Sequence, residues 1–418
     1  MKIRFIHTAD LHLETPFKGL SDNNEGLANK LKDATFNAFR NIVNVCISRR
    51  VDFLVIAGDI FDNEIKSIQA QLRFISELKR LSDHHIPVYF NCGNHDFLDS
   101  WSPSLHMPPG IYRFGKNLEC FTYQRDGMVI ADIYGISFAK KEVKENLASR
   151  YKMGDHPSPF SIAVLHGTIG PAGAHHNYAP FELGDIRSES FDYWALGHIH
   201  NKSIVYDAHP MVIYPGNPQG RDFGETGAKG CFLVDIEGGQ IPQIEFIPVQ
   251  TIRFEKIAID ISGIDDITLI SQKVPEAFPS IEDYDATVSI ILRIRFTGRT
   301  GLHAQLNKPG ASEDLRNALN EDQLTEDPFL WVAQIDIDTR PDINLDEISQ
   351  GNDFPAEALQ VFDHYSEDGN SRKDLLKKIE AEMLSAPIKK ELVALGSGDE
   401  KELIEKAKWL ILDQILTQ

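Results

Sequence analysis

The chain has 418 residues, of which 42% are apolar and 25% are charged, as is typical of a globular protein with two or three domains. No run of about 18 apolar residues occurs, which excludes a transmembrane helix, and we expect no membrane partner. The start, MKIRFIHTADLH, carries polar residues where a secretory signal would need an apolar stretch, and the four cysteines lack CxxC spacing. We therefore expect a cytoplasmic protein without a disulfide framework.

The net charge of −20 is unevenly distributed. Residues 321–370 contain fourteen acidic residues against one basic residue, Arg340, which gives this segment a charge of −13 and leaves −7 for the remaining 368 residues. An acidic balance argues against nucleic acid as a partner, but bound cations would offset part of this remainder. The charge thus neither supports nor excludes DNA.

The first hundred residues alternate between strand and helix patterns. Strands are predicted at KIRFIHTAD, DFLVIAGD and PVYFNCGNHD, and amphipathic helices at 24–49 and 66–82. This β-α-β-α-β order with short connections predicts a parallel sheet, in which function lies at the carboxyl ends of the strands.

The pattern of predicted strands changes after about residue 250. Before it, the later predicted strands are 128–137, 161–167, 192–200, 231–236 and 243–249; after it, they are 289–296 and 329–338. Helical periodicity resumes at Arg372, with GSGDE (396–400) separating two helices and Asp399 as a cap. We predict three regions: a main domain at 1–250, a smaller α+β domain at 251–350, and an acidic linker with C-terminal helices at 351–418.

Five predicted strand ends in the first 200 residues finish in side chains that can bind metals. Any one of them has an ordinary explanation, because aspartate is common in turns and a single histidine is usually a hydrogen-bonded structural residue. Paired residues two apart on a strand can point the same way, which improves the case for DxH and HxH. The five stretches are TADLH (Asp10, His12), AGDIFD (Asp59), CGNHD (Asn94, His95), LHG (His166) and LGHIH (His198, His200).

In this order the five stretches resemble the calcineurin-like metallophosphoesterase superfamily, whose pattern is D-x-H, GD, GNH[DE], H and GHxH. The resemblance covers roughly residues 1–250. It implies an α/β (α+β) fold: a layered sandwich of two β-sheets flanked by helices, followed here by a smaller α+β capping domain and C-terminal helices. The activity implied is hydrolysis of phosphoester bonds.

The resemblance also implies a site for two divalent metal ions that activate a water and stabilise charge on the phosphate. Ligands without thiolate suit Mn²⁺, our prediction, with Fe²⁺ or Zn²⁺ as alternatives. Asp59 would bridge the two ions. The first ion would be held by Asp10, His12, Asp59 and His200, and the second by Asp59, Asn94, His166 and His198.

Three further residues receive roles. By resemblance, His95 assists the leaving group, and Asp62 at the GDxxD position orients His95; a solvated loop carboxylate is the alternative for Asp62. Arg221 lies in the glycine-rich stretch YPGNPQGRDFGETG, which either places it near a phosphate backbone or is an ordinary loop.

Three classes of phosphoesterase compete. Protein phosphatases of this superfamily read GDxxDRG and GNHE, whereas this chain has GDIFDNE and GNHD. A phosphodiesterase acting on a small nucleotide or another non-DNA diester could share every ligand. HTADLHLETPF, GDIFD and GNHD are more similar to SbcD-type DNA repair nucleases and their YhaO-type bacterial relatives, which predicts an Mn²⁺-dependent DNA exonuclease or endonuclease. A metal-binding scaffold without activity is disfavoured because all ligands are present.

The resemblance to SbcD-type nucleases implies partners as well. It predicts a homodimer acting on DNA and an SbcC-like coiled-coil ATPase subunit, since the chain itself contains no G-x-x-x-x-G-K-[ST] motif. The C-terminal helices would dock on that ATPase, or alternatively pack only on their own domain.

Overall fold

In a computed structural model, the structure is described for residues 2–15, 17, 25–62, 67–101, 106–154, 158–170, 178–187, 191–237, 240–382 and 397–416. Fifteen strands lie within these residues: β1 (Lys2–Thr8), β2 (Phe53–Ala57), β3 (Val88–Asn91), β4 (Ile111–Arg113), β5 (Glu119–Arg125), β6 (Met128–Gly135), β7 (Ser161–His166), β8 (Tyr193–Gly197), β9 (Ser203–Tyr206), β10 (Met211–Tyr214), β11 (Gly230–Glu237), β12 (Gln243–Pro248), β13 (Ile252–Asp260), β14 (Ser289–Thr300) and β15 (Leu330–Pro341).

Besides short 3₁₀ turns, the same residues contain eleven α-helices. They are α1 (Glu25–Lys32), α2 (Ala34–Arg49), α3 (Ile68–Asp83), α4 (Leu183–Arg187), α5 (Ile270–Glu276), α6 (His303–Leu306), α7 (Ala311–Leu319), α8 (Leu345–Ser349), α9 (Phe354–Glu367), α10 (Gly369–Glu382) and α11 (Ser397–Leu416).

Two six-stranded sheets form a sandwich, as predicted. The first has the order β12-β11-β1-β2-β3-β4 and the second the order β5-β6-β7-β8-β10-β9. Strands β1 to β4 are parallel, which confirms the β-α-β prediction, whereas β11 joins β1 antiparallel. The sheets face each other through one buried apolar cluster that includes Phe5, Val55, Ile162 and Tyr193.

Helices α2 and α3 cover the outer face of the first sheet. Their side chains Phe39 and Phe74 share a buried cluster with Leu54 and Phe90 of that sheet. Instead of the single helix predicted at 24–49, the chain forms α1 and α2 with a turn at Asp33. The carboxylate of Asp33 is paired with Arg73 of α3 at 2.5 Å, a contact between separate helices that periodicity cannot predict.

The chain divides into two compact units. The first comprises Met1–Ile257, Phe278–Ile294 and Arg316–Gln334, and the second comprises Ala258–Ala277, Arg295–Leu315 and Ile335–Gln418. Residue 250, the first predicted boundary, is near the end of the first segment; the division into three regions stays a prediction.

Much of the acidic segment is helical in the second unit. Residues 354–367, expected to be part of a linker, form α9, because Asp353 accepts a hydrogen bond from the Ala356 amide and Leu359 is buried. Helix α11 buries Leu412, and its Asp413 accepts two hydrogen bonds from Arg299, at 2.9 and 3.1 Å. These contacts support packing of the C-terminal helix on its own domain.

Met383 to Leu395, the end of the first predicted C-terminal helix, lies outside the described residues. None of the described helices combines the length and apolar character needed to cross a bilayer.

Candidate metal centre

The predicted ligands come together at the carboxyl ends of the central strands. Asp10 and His12 follow β1, Asp59 follows β2, and Asn94 follows β3. The second sheet contributes three histidines from the adjoining strands: His166 ends β7, and His198 and His200 follow β8. All seven side chains lie in the first unit, and five of the residues are almost fully buried.

The ligand atoms fall into two groups that match the two predicted sets. Asp10, His12 and His200 offer atoms within 4.8 Å of one another, as do Asp59, His166 and His198. Asn94 joins the second group, since its Oδ1 lies 3.1 Å from Nε2 of His166. The structure therefore brings together all seven predicted residues, and their binding of metal stays a prediction.

Asp59 lies between the two groups. Its Oδ2 is 3.4 Å from Nε2 of His166 and 4.0 Å from Nε2 of His12. Its Oδ1 accepts a hydrogen bond from the backbone N–H of His95 at 2.9 Å, which fixes the carboxylate. A carboxylate held in this way can offer one oxygen to each of two cations.

The backbone at the site is unusual. Asp10, His12, Asp59 and His198 all have positive φ, at 52°, 43°, 49° and 100°. Residues other than glycine rarely adopt this backbone conformation. Such strain persists where the surrounding structure enforces it, and it is concentrated at functional sites. Here it turns the side chains from separate strand ends toward one point.

Close approach at the site requires glycine. A Cβ on Gly93 would lie 2.2 Å from Oδ1 of Asp59 and 2.8 Å from Nε2 of His166. A Cβ on Gly197 would lie 1.7 Å from the carbonyl oxygen of Ala57. The space beside Asp59 and His166 thus exists because the GNH and GH motifs place glycine there.

The electrostatics of the site favour a cation. Burial lowers the pKa of His12 and His198 to about 3, so both rings are neutral and have a lone pair available for a metal. Burial also disfavours the charged form of His166, but Asp59 and Asp10 raise its pKa to about 9. The carboxylates therefore hold a positive charge where the second metal is expected, and the donor set fits divalent cations.

His95 and Asp62 lie beside the two groups in an arrangement that differs in detail from the predicted one. Nδ1 of His95 donates to the backbone oxygen of Asp62 at 2.9 Å, and the ring side chain is 40% exposed. The Asp62 carboxylate is 3.8 Å from His95 but 3.0 Å from Nδ1 of His12. The main chain of Asp62 thus accepts the hydrogen bond from His95, and its side chain lies beside His12.

Arg221 reaches the site, but other side chains occupy its guanidinium. It lies 2.8 Å from Oε1 of Glu225 and 3.2 Å from Oδ1 of Asp62, and its side chain is 17% exposed. These contacts do not support an arginine free to bind phosphate; that role stays a prediction.

The sequence analysis missed two carboxylates that organise the site. Glu225 contacts Nδ1 of His200 at 2.7 Å, and no motif marks this residue. Asp96 accepts hydrogen bonds from the amides of Ile60 and Gly93, tying together the loops after β2 and β3. Asp96 occupies the last position of the GNH[DE] pattern, a signal that could have identified it.

The comparisons with known proteins agree with this geometry. The sequence model of the calcineurin-like phosphoesterase family matches residues 3–202, and that of the middle domain of metallophosphoesterase YhaO matches residues 254–340. YhaO of Bacillus subtilis is 36% identical over 346 residues, which cover 82% of this chain and 83% of YhaO. The chain is a calcineurin-like phosphoesterase. Phosphoesterases of this family use a dinuclear centre of divalent metals.

More distant relatives of this phosphoesterase carry names from DNA repair. The DNA double-strand break repair protein Mre11 of Sulfolobus acidocaldarius is 26% identical, and the match covers 62% of this chain and 66% of that protein. The SbcD subunit of the nuclease SbcCD of Bacillus subtilis is 25% identical, and the match covers 57% of this chain and 67% of that protein.

Proposed function

We propose that this phosphoesterase is an Mn²⁺-dependent nuclease that hydrolyses phosphodiester bonds in DNA, as an exonuclease with endonuclease activity on single strands. The observation that carries the proposal is the meeting of both ligand groups at Asp59, beside the half-exposed ring of His95. When bound, two divalent cations would supply Lewis acidity and a water of lowered pKa.

The residues of this chain would hold the cations and supply the proton for the leaving oxygen. The buried carboxylate of Asp59 is oriented by the His95 N–H, and it would be a ligand shared by the two cations. Nδ1 of His95 donates to the carbonyl of Asp62, so a ring protonated at both nitrogens could give its Nε2 proton to the leaving oxygen. Exposure of this ring gives a substrate access to it.

Two relatives support DNA as the substrate: one is named a DNA double-strand break repair protein, and the other is a subunit of a nuclease. On the same basis we propose a homodimer and an SbcC-like coiled-coil ATPase partner. A small nucleotide or another non-DNA diester is the second candidate. The net charge of −20 and the paired guanidinium of Arg221 favour it, because both reduce attraction for a chain of phosphates.

The experiment is a substrate panel for the full chain with Mn²⁺. It contains labelled linear duplex DNA, single-stranded DNA, a cyclic dinucleotide and a phosphopeptide. Asp59→Asn is the inactive variant, and Asp83→Asn, which removes an exposed carboxylate paired with Lys79, is the matched control. Cleavage of DNA by the wild type and Asp83→Asn but not by Asp59→Asn is expected. Hydrolysis of the cyclic dinucleotide alone would establish the second candidate instead.

A further inference from the structure

Two histidines of the first ligand group each have a carboxylate beside Nδ1. Nδ1 of His200 makes a hydrogen bond to Oε1 of Glu225 at 2.7 Å, whereas Nδ1 of His12 lies 3.0 Å from Oδ1 of Asp62 without hydrogen-bond geometry. Donation from Nδ1 of His200 to a carboxylate leaves Nε2 of that ring with the lone pair. The Nε2 atoms of His12 and His200 are 3.0 Å apart, so the two rings face one position.

Arg221 connects the two carboxylates. Its Nη2 and Nε approach the two oxygens of Glu225 at 2.8 and 3.3 Å, the forked geometry of a strong arginine–carboxylate pair. Its Nη1 lies 3.2 Å from Asp62. Nη2 of Arg221 is also 2.9 Å from Nδ1 of His200. The shorter contact of His200 Nδ1 is the one with Glu225, at 2.7 Å.

Further hydrogen bonds fix the position of Glu225. Glu225 is 11% exposed at its side chain, and its Oε2 accepts from the side-chain amide of Asn217 at 2.7 Å and from the backbone N–H of Arg221 at 2.9 Å. N–H donors of Arg221 and Asn217 thus approach both oxygens of the Glu225 carboxylate, which accepts from them.

We propose that Asp62, Arg221 and Glu225 form a positioning bridge that sets the ring orientation of His200 and holds the Asp62 carboxylate beside His12, and thereby sets the affinity of one metal site out of two. The inference rests on the proposed two-metal function. The second group has no part in this bridge, because His166 is oriented separately: its Nδ1 lies 3.0 Å from the backbone carbonyl of Ala57. Arg221 is in this account a positioning residue and not a ligand of the substrate.

The test is Mn²⁺ binding by the full chain without substrate, measured by calorimetry and elemental analysis. Glu225→Gln keeps size and shape but replaces an obligate acceptor by an amide that can also donate, so the tautomer of His200 is no longer enforced. One of two Mn²⁺ ions should bind about 10- to 100-fold more weakly, while the other binds as in the wild type. Asp222→Asn, an exposed carboxylate in the same loop, is the control for loss of charge and should leave both affinities unchanged.

Two further readouts separate positioning from a general structural effect and from substrate binding. In ¹⁵N-histidine-labelled protein without metal, the neutral ring of His200 should be a single Nδ1–H tautomer in the wild type and a mixture of Nδ1–H and Nε2–H tautomers in Glu225→Gln. Arg221→Gln should alter Mn²⁺ affinity of the same single site and should regain the wild-type KM at saturating Mn²⁺.

Three results would overturn the inference. These are equal weakening of both ions in Glu225→Gln, unchanged binding of both, or a raised KM with unchanged Mn²⁺ affinity in Arg221→Gln. Two bound ions without DNA cleavage would refute the proposed function and leave the bridge intact. A wild type that binds fewer than two ions would overturn both.

Discussion

The carboxylate of Asp62 contacts His12, with Oδ1 3.0 Å from Nδ1, whereas its distance to Nδ1 of His95 is 3.8 Å. The backbone carbonyl of Asp62 makes the contact with His95, at 2.9 Å. One residue thus serves both histidines by different atoms. Substitution of its side chain should consequently affect the metal ligand more than the proton donor.

Asp62→Asn should lower the affinity for Mn²⁺ while leaving His95 in place. The expected loss is about tenfold or more, because the substitution removes the negative charge that lies 3.0 Å from Nδ1 of His12. Hydrolysis should recover when Mn²⁺ is raised, since the main-chain contact to His95 is retained. The measurement is activity against Mn²⁺ concentration. A loss of activity that no Mn²⁺ concentration restores would mean that the carboxylate orients His95 after all.

His95→Asn should give the opposite pattern. The backbone N–H that holds Asp59 remains, so Mn²⁺ binding should be unchanged, but the proton donor is gone. Turnover at saturating Mn²⁺ should fall about 10²- to 10⁴-fold, the usual contribution of a general acid. His106→Asn, at an exposed histidine, is the matched control. Turnover of His95→Asn near that of the wild type would remove the role given to this residue.

Gly93→Ala should abolish tight binding of both metal ions. The new Cβ would lie 2.2 Å from Oδ1 of Asp59, so the carboxylate shared by the two groups must move. Gly184→Ala is the matched control, because a Cβ there meets no atom within 4 Å and alanine favours the helix. Calorimetric titration with Mn²⁺ distinguishes the two variants. Equal binding by both would show that the loop after β3 can adjust.

The stability of the fold should depend on His7, which is fully buried with Nδ1 3.0 Å from the Tyr193 hydroxyl. Burial lowers its pKa from 6.5 to about 3. Between pH 6.5 and about pH 3, His7 binds a proton in the unfolded chain but not in the folded chain. The contribution of His7 is therefore fully present above pH 6.5 and is lost as the pH falls toward 3.

In His7→Gln this dependence should disappear. Between about pH 7 and about pH 5, the free energy of unfolding of the wild type should fall by about 2 kcal/mol more than that of the variant. Urea unfolding at the two pH values measures the difference, with His106→Gln as a surface control. An identical pH dependence in wild type and His7→Gln would mean that His7 is protonated in the folded state.

Docking of the proposed ATPase partner can be tested without deleting the C-terminal helix, which is packed in its own unit through Leu412 and Asp413. Leu403 and Leu410, 39% and 60% exposed, are seven residues apart and share a face of α11. Changing both to Glu should reduce co-purification with the ATPase while nuclease activity and unfolding stay unchanged. Lys401→Glu, with a similar charge change, should retain the partner. Undiminished co-purification of the double variant would place the docking surface elsewhere.

The convergence of the seven predicted ligands could be anticipated from sequence, because each of them ends a buried strand or lies within four residues after one. Asp59 after β2 and His166 at the end of β7 are examples. The proximity of Asp62 to His12 and the contact of Glu225 with His200 could not be predicted, since they depend on how separate loops meet; Glu225 lies 25 residues from His200. Helix α9 was missed because it lies within the acidic segment that we expected to be a linker, which obscured the capping by Asp353 and the buried Leu359.

The most direct measurement of the central claim is anomalous diffraction from crystals of the protein grown with Mn²⁺. The account predicts two manganese peaks that share Asp59, one beside Asp10, His12 and His200, the other beside Asn94, His166 and His198. A single peak, or two peaks without a common contact to Asp59, would contradict it.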